Sequence, residues 1–279
     1  MNITIICDVL GEANNGTSLA AFNLIRHLKS KGHNVTVVAP DAPDEEGFVS
    51  VPSLDLTFML NWALRLNDVV LAKPDKQLLA DAIRDADVVH LLVPLPLSVA
   101  AVKIAKEMDK PVTASFHCQA ENVTAHVFMM NFPLANTLVY KNFYKHVYQY
   151  CDIIHYPTTF IRDVFEKETH KTNAVVISNG VNEQFYKDVP SNRISDKFTI
   201  VCTGRYSKEK AQHLLIKATA KSKHRDDIKL VFAGAGPYEN SLKKLSAKHG
   251  TDAEFRLFPR DELLSLLHGA DLYVHTAII

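Results

Sequence analysis

Two cations five residues apart, Arg205 and Lys210, follow the apolar run Ile200-Val201-Cys202-Thr203, which breaks at Gly204. The helical spacing of Leu214, Leu215 and Ala218 comes next. The segment therefore reads as a strand, a turn and a helix start carrying a cation pair. In an open α/β sheet ligands bind beyond the carboxyl ends of the strands. A planar guanidinium fork and a compact ammonium fixed there suit a diphosphate. The same residues also fit a solvated basic turn. A second candidate is Gly234-Ala235-Gly236-Pro237, which follows the strand-like Lys229–Ala233. It is either the floor of a ligand pocket or a plain turn between strand and helix. His117 ends a third strand-like run, Val112 to Phe116, and is either a reactive side chain or a satisfied histidine at a strand end.

The elements that must position these residues follow a regular rhythm. At 279 residues the chain exceeds one ordinary core, so two domains are expected; 47% hydrophobic and 22% charged residues are globular values. A formal net charge of zero leaves no overall electrostatic footprint for nucleic acid. Cys7, Cys118, Cys151 and Cys202 are scattered singly, as buried reduced thiols are, which favours the cytoplasm. No His or Cys set has zinc spacing. The chain opens directly on strand-like Met1-Asn2-Ile3-Thr4-Ile5-Ile6 and shows no leader. The most apolar stretch, Val88 to Ala105, is broken by His90, Pro94, Pro96 and Lys103, and reads as a strand plus a helix rather than a membrane span.

Ile3–Cys7, a polar loop over Gly11–Thr17, a helix through Leu19–Leu28 and Val35–Ala39 form a first strand-loop-helix-strand unit with a glycine at the helix entrance. Continuous apolar strands of this kind belong to parallel sheets covered on both faces. Phe48–Val51 reads as a short strand and Leu54–Leu66, with Trp62, as an apolar helix. Strand-helix units then recur through Gln77–Ala86, Val88–Val93, Leu97–Met108 and Val112–Phe116. Asn122 to Tyr150 interleaves Phe128, Phe132, Tyr140, Phe143, Tyr144, Tyr148 and Tyr150 with His126, Lys141, Lys145 and His146. Such a mixture suits a membrane interface and equally an amphipathic helix on a domain core. A strand at Ile153–Tyr156, a helix at Ile161–Glu168 and a strand ending in Asn179-Gly180 close the first part. A polar connection leads to a second α/β series from Phe198. The expected division is 1–182, a linker at 183–197, and 198–279. No crossover helix follows the last strand, so the second domain is expected to be incomplete.

These motifs, in this order, resemble family 4 glycosyltransferases of the GT-B fold, whose two facing Rossmann-like domains hold the active site between them. The resemblance spans almost the whole chain. It rests on the glycine-containing first loop Gly11–Ser18, Ser115-Phe116-His117, Cys151-Asp152-Ile153-Ile154, and Ser178-Asn179-Gly180-Val181-Asn182 with Phe185. In the second half it rests on Thr203-Gly204-Arg205 with Glu209-Lys210, Ala233-Gly234-Ala235-Gly236-Pro237, and Ala270-Asp271-Leu272-Tyr273-Val274. Two departures are visible: the paired glycines of the first loop are reduced to Gly16, and Ala211 stands where a glycine is usual.

The resemblance implies retaining transfer of a hexose from a nucleotide-diphosphate sugar, a UDP-sugar by expectation, with no cofactor and no metal. Arg205 and Lys210 would hold the donor diphosphate, with the backbone N–H groups of Gly16 and Thr17 at a helix N-terminus. Gly204, Gly234, Gly236 and Pro237 would shape the nucleotide pocket. His117 would stand at the reacting centre, and Glu121 and Asn122 would contact donor sugar or acceptor. Asp85-Ala86-Asp87 spells a metal-binding "DxD" but falls at a strand's amino end. The run Phe116–Asn122 and the aromatic-basic stretch resemble bacterial glycolipid synthases. That implies a lipid acceptor such as diacylglycerol, with peripheral contact through 122–150 at the inner membrane face; a soluble glycan acceptor stays open. Further donor contacts are expected beyond Ile279. A non-catalytic partner subunit and a related sugar-nucleotide epimerase are the remaining alternatives.

Overall fold

The computed structural model describes residues 1–10, 16–40, 42–54, 71–125, 129, 131–181, 185, 193 and 195–278. The chain divides into two compact units, Met1–Gly180 and Val181–Ile279. The apolar helix expected over Leu54–Leu66 lies, but for Leu54, outside the described residues, as does the expected linker 183–197 but for residues 185, 193 and 195–197.

The first unit is a seven-stranded sheet in the order β3-β2-β1-β4-β5-β6-β7, with every pair parallel. Its strands are β1 (Asn2–Ile6), β2 (Asn34–Pro40), β3 (Phe48–Val51), β4 (Val88–Leu91), β5 (Val112–Ser115), β6 (Ile153–Tyr156) and β7 (Ala174–Val176). The helices are α1 (Gly16–Ser30), α2 (Lys76–Arg84), α3 (Pro96–Glu107), α4 (Ala120–Ala125), α5 (Pro133–His146) and α6 (Thr159–Glu168). The alternation of side chains along a strand sends Ile3, Ile5 and Cys7 to the face covered by Ala21 and Ile25 of α1. Ile6 faces the opposite core, built on α2, α3 and α5. Strand order reverses between β1 and β4, the topological switch point at which an open α/β sheet offers a ligand crevice.

The second unit repeats this plan with four parallel strands in the order β10-β9-β8-β11: β8 (Phe198–Thr203), β9 (Ile228–Ala233), β10 (Asp252–Arg256) and β11 (Leu272–Tyr273). Helices α7 (His213–Lys221), α8 (Glu239–His249) and α9 (Arg260–His268) cover it. Here the switch lies between β8 and β11.

The aromatic-basic stretch divides. Tyr140, Phe143 and Tyr148 are buried, and Phe116 sits at the hub of a ring cluster with Phe165 at 4.8 Å and Tyr148 and Tyr156 at 5.4 Å. Each such ring pair adds about 0.5–1.5 kcal/mol to its burial. This cluster fixes the floor beneath the β5 carboxyl end. Phe132, Leu134, Leu138 and Tyr150 are exposed instead. His126 and Phe128 lie outside the described residues.

Just past β1, Asp8 is wholly buried. Its carboxylate accepts from the backbone N–H groups of Leu97 (2.9 Å) and Ser98 (3.3 Å) in the first turn of α3. The α3 N-cap residue, Leu95, has no side-chain acceptor to offer, so the segment following β1 supplies the cap. Burial pushes the Asp8 carboxyl up to about 7, with the N–H groups of Leu97, Ser98 and Ala72 acting against it. A folded-state value above the unfolded one gives stability that is full below about pH 4 and is lost as pH rises through 7. Asp8→Asn is therefore expected to gain on the order of 3 kcal/mol relative to the parent between pH 4 and pH 8. Urea midpoints of the two proteins measure this difference, in which the other titrating groups cancel; a pH-independent difference would contradict it.

Candidate functional site

In the second unit, the loops after β8 and β9 are interleaved backbone on backbone. Gly204 N–H donates to Ala233 O (3.0 Å), Tyr206 N–H to Ala235 O (2.9 Å) and Tyr238 N–H to Tyr206 O (3.1 Å). The buried Tyr206 ring reaches under them, its hydroxyl donating to Phe232 O at 2.6 Å. A Cβ at Gly234 would stand 2.1 Å from Gly204 O, and one at Gly236 would stand 2.5 Å from Tyr206 O. Only glycine permits this approach. The glycines that read as a pocket floor from sequence thus have a demonstrable structural task, and Pro237 is an exposed turn residue just before α8.

The same interlock fixes the backbone that carries the cations. Arg205 O accepts from Gln212 Nε2 (2.8 Å), and Lys210 O accepts from Thr276 Oγ1 (2.7 Å). Both side chains are half-buried. Ala211, next to Lys210, holds φ at +49°, a left-handed conformation costly to any residue with a Cβ. Across the β8/β11 switch point Thr203 Oγ1 and Tyr273 OH are 3.0 Å apart.

In the first unit Gly16 and Thr17 open α1, and among the described residues a Cβ at Gly16 would meet nothing within 4 Å. His117 lies two residues beyond β5, half-buried, its ring 6.0 Å from that of His155 at 70°. Glu121 is engaged: its carboxylate accepts the Tyr140 hydroxyl at 2.6 Å. Asn122 is exposed. Asp87 of the "DxD" accepts the backbone N–H of Asn2 at 2.7 Å, at the amino edge of the sheet. Among the described residues no group of three His, Cys, Asp or Glu side chains could hold a metal ion.

Sequence reading missed the partners of His117. His90 on β4 touches Thr113 Oγ1 (2.8 Å) and Ser115 Oγ (3.0 Å) on β5, and Ser115 touches His155 Nδ1 (3.1 Å) on β6. The signal is visible only once register is known, since His90 pairs with Thr113 and Ser115 with His155. Burial first, and then the neighbouring His155, bring the His117 imidazole down to about 4. Burial, then His117 and His155, do the same to His90. At neutral pH His117 is thus an uncharged hydrogen-bonding group, not a cation.

Two Rossmann-like α/β units, each with chemistry-bearing loops at the carboxyl ends of parallel strands, define the class as a GT-B type protein. Residues 14–185 match the profile of Glycosyltransferase Family 4, and residues 184–279 that of Glycosyl transferases group 1. The chain belongs to Glycosyltransferase Family 4. It is 27% identical over 173 residues to the alpha-monoglucosyldiacylglycerol synthase of Streptococcus pneumoniae, covering 57% of this chain and 38% of that protein. It is 24% identical to the GDP-mannose-dependent alpha-mannosyltransferase of Corynebacterium glutamicum, covering 99% of this chain and 66% of the relative. The chain therefore spans between about two fifths and two thirds of these relatives' lengths. Anabaena HepE, solved with UDP and glucose, superposes with a TM-score of 0.71 at 15% identity, over 99% of this chain and 74% of its own, and shows the shared fold.

The interlock makes opposite demands at neighbouring positions. Gly234→Ala must displace the Gly204 carbonyl and is expected to cost about 3 kcal/mol or more. Ala211→Gly relieves a left-handed alanine, worth about 1–2 kcal/mol, against the loss of a buried methyl, and should stay within about 1 kcal/mol of the parent. Urea unfolding of both variants tests the pair; a neutral Gly234→Ala would contradict the close approach.

Proposed function

We propose that this chain is the catalytic part of a retaining glycosyltransferase that moves a hexose from a UDP-sugar to a lipid acceptor at the inner membrane face. The observation that carries the reading is the pinned backbone at Gly204–Ala211, which presents Arg205 and Lys210 at the carboxyl end of β8 beside the switch point. In such a transfer the bond from sugar C1 to the β-phosphate oxygen breaks, and its electron pair leaves with UDP. The acceptor oxygen bonds to C1 on the same face, and the acceptor proton passes to the departing phosphate oxygen. Negative charge grows on the diphosphate, and preorganised cations are most useful there. Neutral His117 would hydrogen-bond the donor sugar, and the first-turn N–H groups of α1 at Gly16 and Thr17 would add phosphate contacts. The nucleotide choice draws on the UDP-bound HepE structure.

The lipid acceptor draws on the Streptococcus pneumoniae synthase and on the outer face of α5. Leu134 and Leu138 are 61% and 60% exposed and follow Phe132 at 51%, while Lys141 and Lys145 continue the same side of the helix. An apolar turn leading into lysines suits anionic headgroups. No described helix is long and apolar enough to cross a membrane. The protein is expected to sediment with anionic phospholipid vesicles, and Leu134→Asp with Leu138→Asp to weaken that by about tenfold; unchanged binding by the variant, or none by the parent, would favour a soluble glycan acceptor. With UDP-glucose and diacylglycerol vesicles, proton NMR should show an α-glucoside product. A β-product would overturn retention, and release of free sugar without acceptor would favour an epimerase.

A further inference from the structure

Three strands of the first unit carry a continuous polar chain of which only Ser115 falls within the motifs that carry the family resemblance. It starts at Thr113, passes through His90, Ser115 and His155, and ends on the Ile177 carbonyl, which lies 2.6 Å from His155 Nε2. That carbonyl can only accept, so His155 Nε2 carries the hydrogen, and in the uncharged tautomer this defines, Nδ1 is an acceptor. Ser115 must then donate its hydroxyl to His155 Nδ1, leaving its oxygen to accept from His90 Nε2–H. His90 Nδ1 in turn accepts the Thr113 hydroxyl. In that tautomer the Ile177 carbonyl fixes the direction of every link, with each ring nitrogen and each hydroxyl hydrogen used once. Ser115 is buried and the two histidines are half-buried, and a polar network satisfied to this degree favours one geometry for its members.

We infer that His155, oriented by Ser115 and the Ile177 carbonyl, is a positioning residue that sets the ring of His117. The contact that transmits the effect is the near-perpendicular packing of the two rings. His117 follows β5 by two residues on a segment with no strand pairing of its own, so its ring needs a lateral support. His155 is the aromatic neighbour of His117 among the described residues. The consequence for the reaction rests on the role given above to His117, whereas the positioning itself does not.

The experiment uses the whole chain labelled with nitrogen-15 at histidine. Two-bond proton–nitrogen spectra at neutral pH should show His90 and His155 as Nε2–H tautomers. Ser115→Ala should shift the His117 ring resonances and broaden or split them, while Ser115→Thr, which keeps the hydroxyl, should restore the parent pattern. His155→Phe guards against a folding failure, since it keeps the ring edge and removes the nitrogens. It should move His117 less than His155→Ala does. Turnover is the second readout, with kcat expected to fall about tenfold in Ser115→Ala at an unchanged KM for the nucleotide sugar. Unmoved His117 resonances in Ser115→Ala and His155→Ala, or an Nδ1–H tautomer at His155, would overturn the inference whatever the turnover. Shifted resonances with unchanged turnover would leave the positioning standing and contradict the catalytic role of His117.

Discussion

The second unit depends on one steric constraint, the contact of two backbones without intervening side chains. The loop leaving β8 lies directly on the loop leaving β9, and Gly234 and Gly236 make that possible. Three backbone hydrogen bonds and the buried Tyr206 lock the arrangement. Loops at the end of a sheet are ordinarily its most mobile part. Here they are welded, so Arg205 and Lys210 project from a backbone that cannot retreat. A cation held in place costs less to reorganise when negative charge arrives, which is the basis of electrostatic preorganisation.

The first unit uses a different device for the same end. The carboxyl end of its sheet rests on an aromatic floor around Phe116 and on buried and half-buried polar groups spanned between strands. Asp8 caps α3 from the segment just past β1, and the Thr113–His90–Ser115–His155 chain ties β4, β5 and β6. Buried polar groups of this sort are costly unless every partner is present. Hydrophobic burial sets the sheet, and these few bonds set where its carboxyl-end residues point.

The parallel sheets could be read directly from sequence, because runs such as Val88–Leu91, Phe198–Thr203 and Ile228–Ala233 are mostly apolar with no strict alternation, as strands covered on both faces are. The glycine turn at Gly234–Gly236 was equally visible, though only its contacts show that a Cβ there would collide with backbone. What escaped depends on register. His90, Ser115 and His155 lie at separations of 25 and 40 residues, and nothing local marks them as neighbours. Nothing local marks Asp8 as a helix cap, since the backbone it caps lies almost ninety residues later. The aromatic-basic stretch was ambiguous for a physical reason: a helix with one face on the core and one in solvent carries both signals. Its inward rings proved structural, while its outer turn at Leu134 and Leu138 stayed exposed. Ala211 stands where the family resemblance calls for glycine, and it keeps the left-handed backbone that explains that preference.

The central claim is that the pinned cation pair reads a diphosphate. Titration calorimetry of the parent with UDP and with uridine addresses it without any need for turnover. The account predicts that UDP binds and uridine binds at least about tenfold more weakly, and that Arg205→Ala and Lys210→Ala each remove most of that preference, at about 1.5–3 kcal/mol per charge-assisted hydrogen bond. Equal affinity for UDP and uridine, or undiminished UDP affinity in both variants, would contradict it.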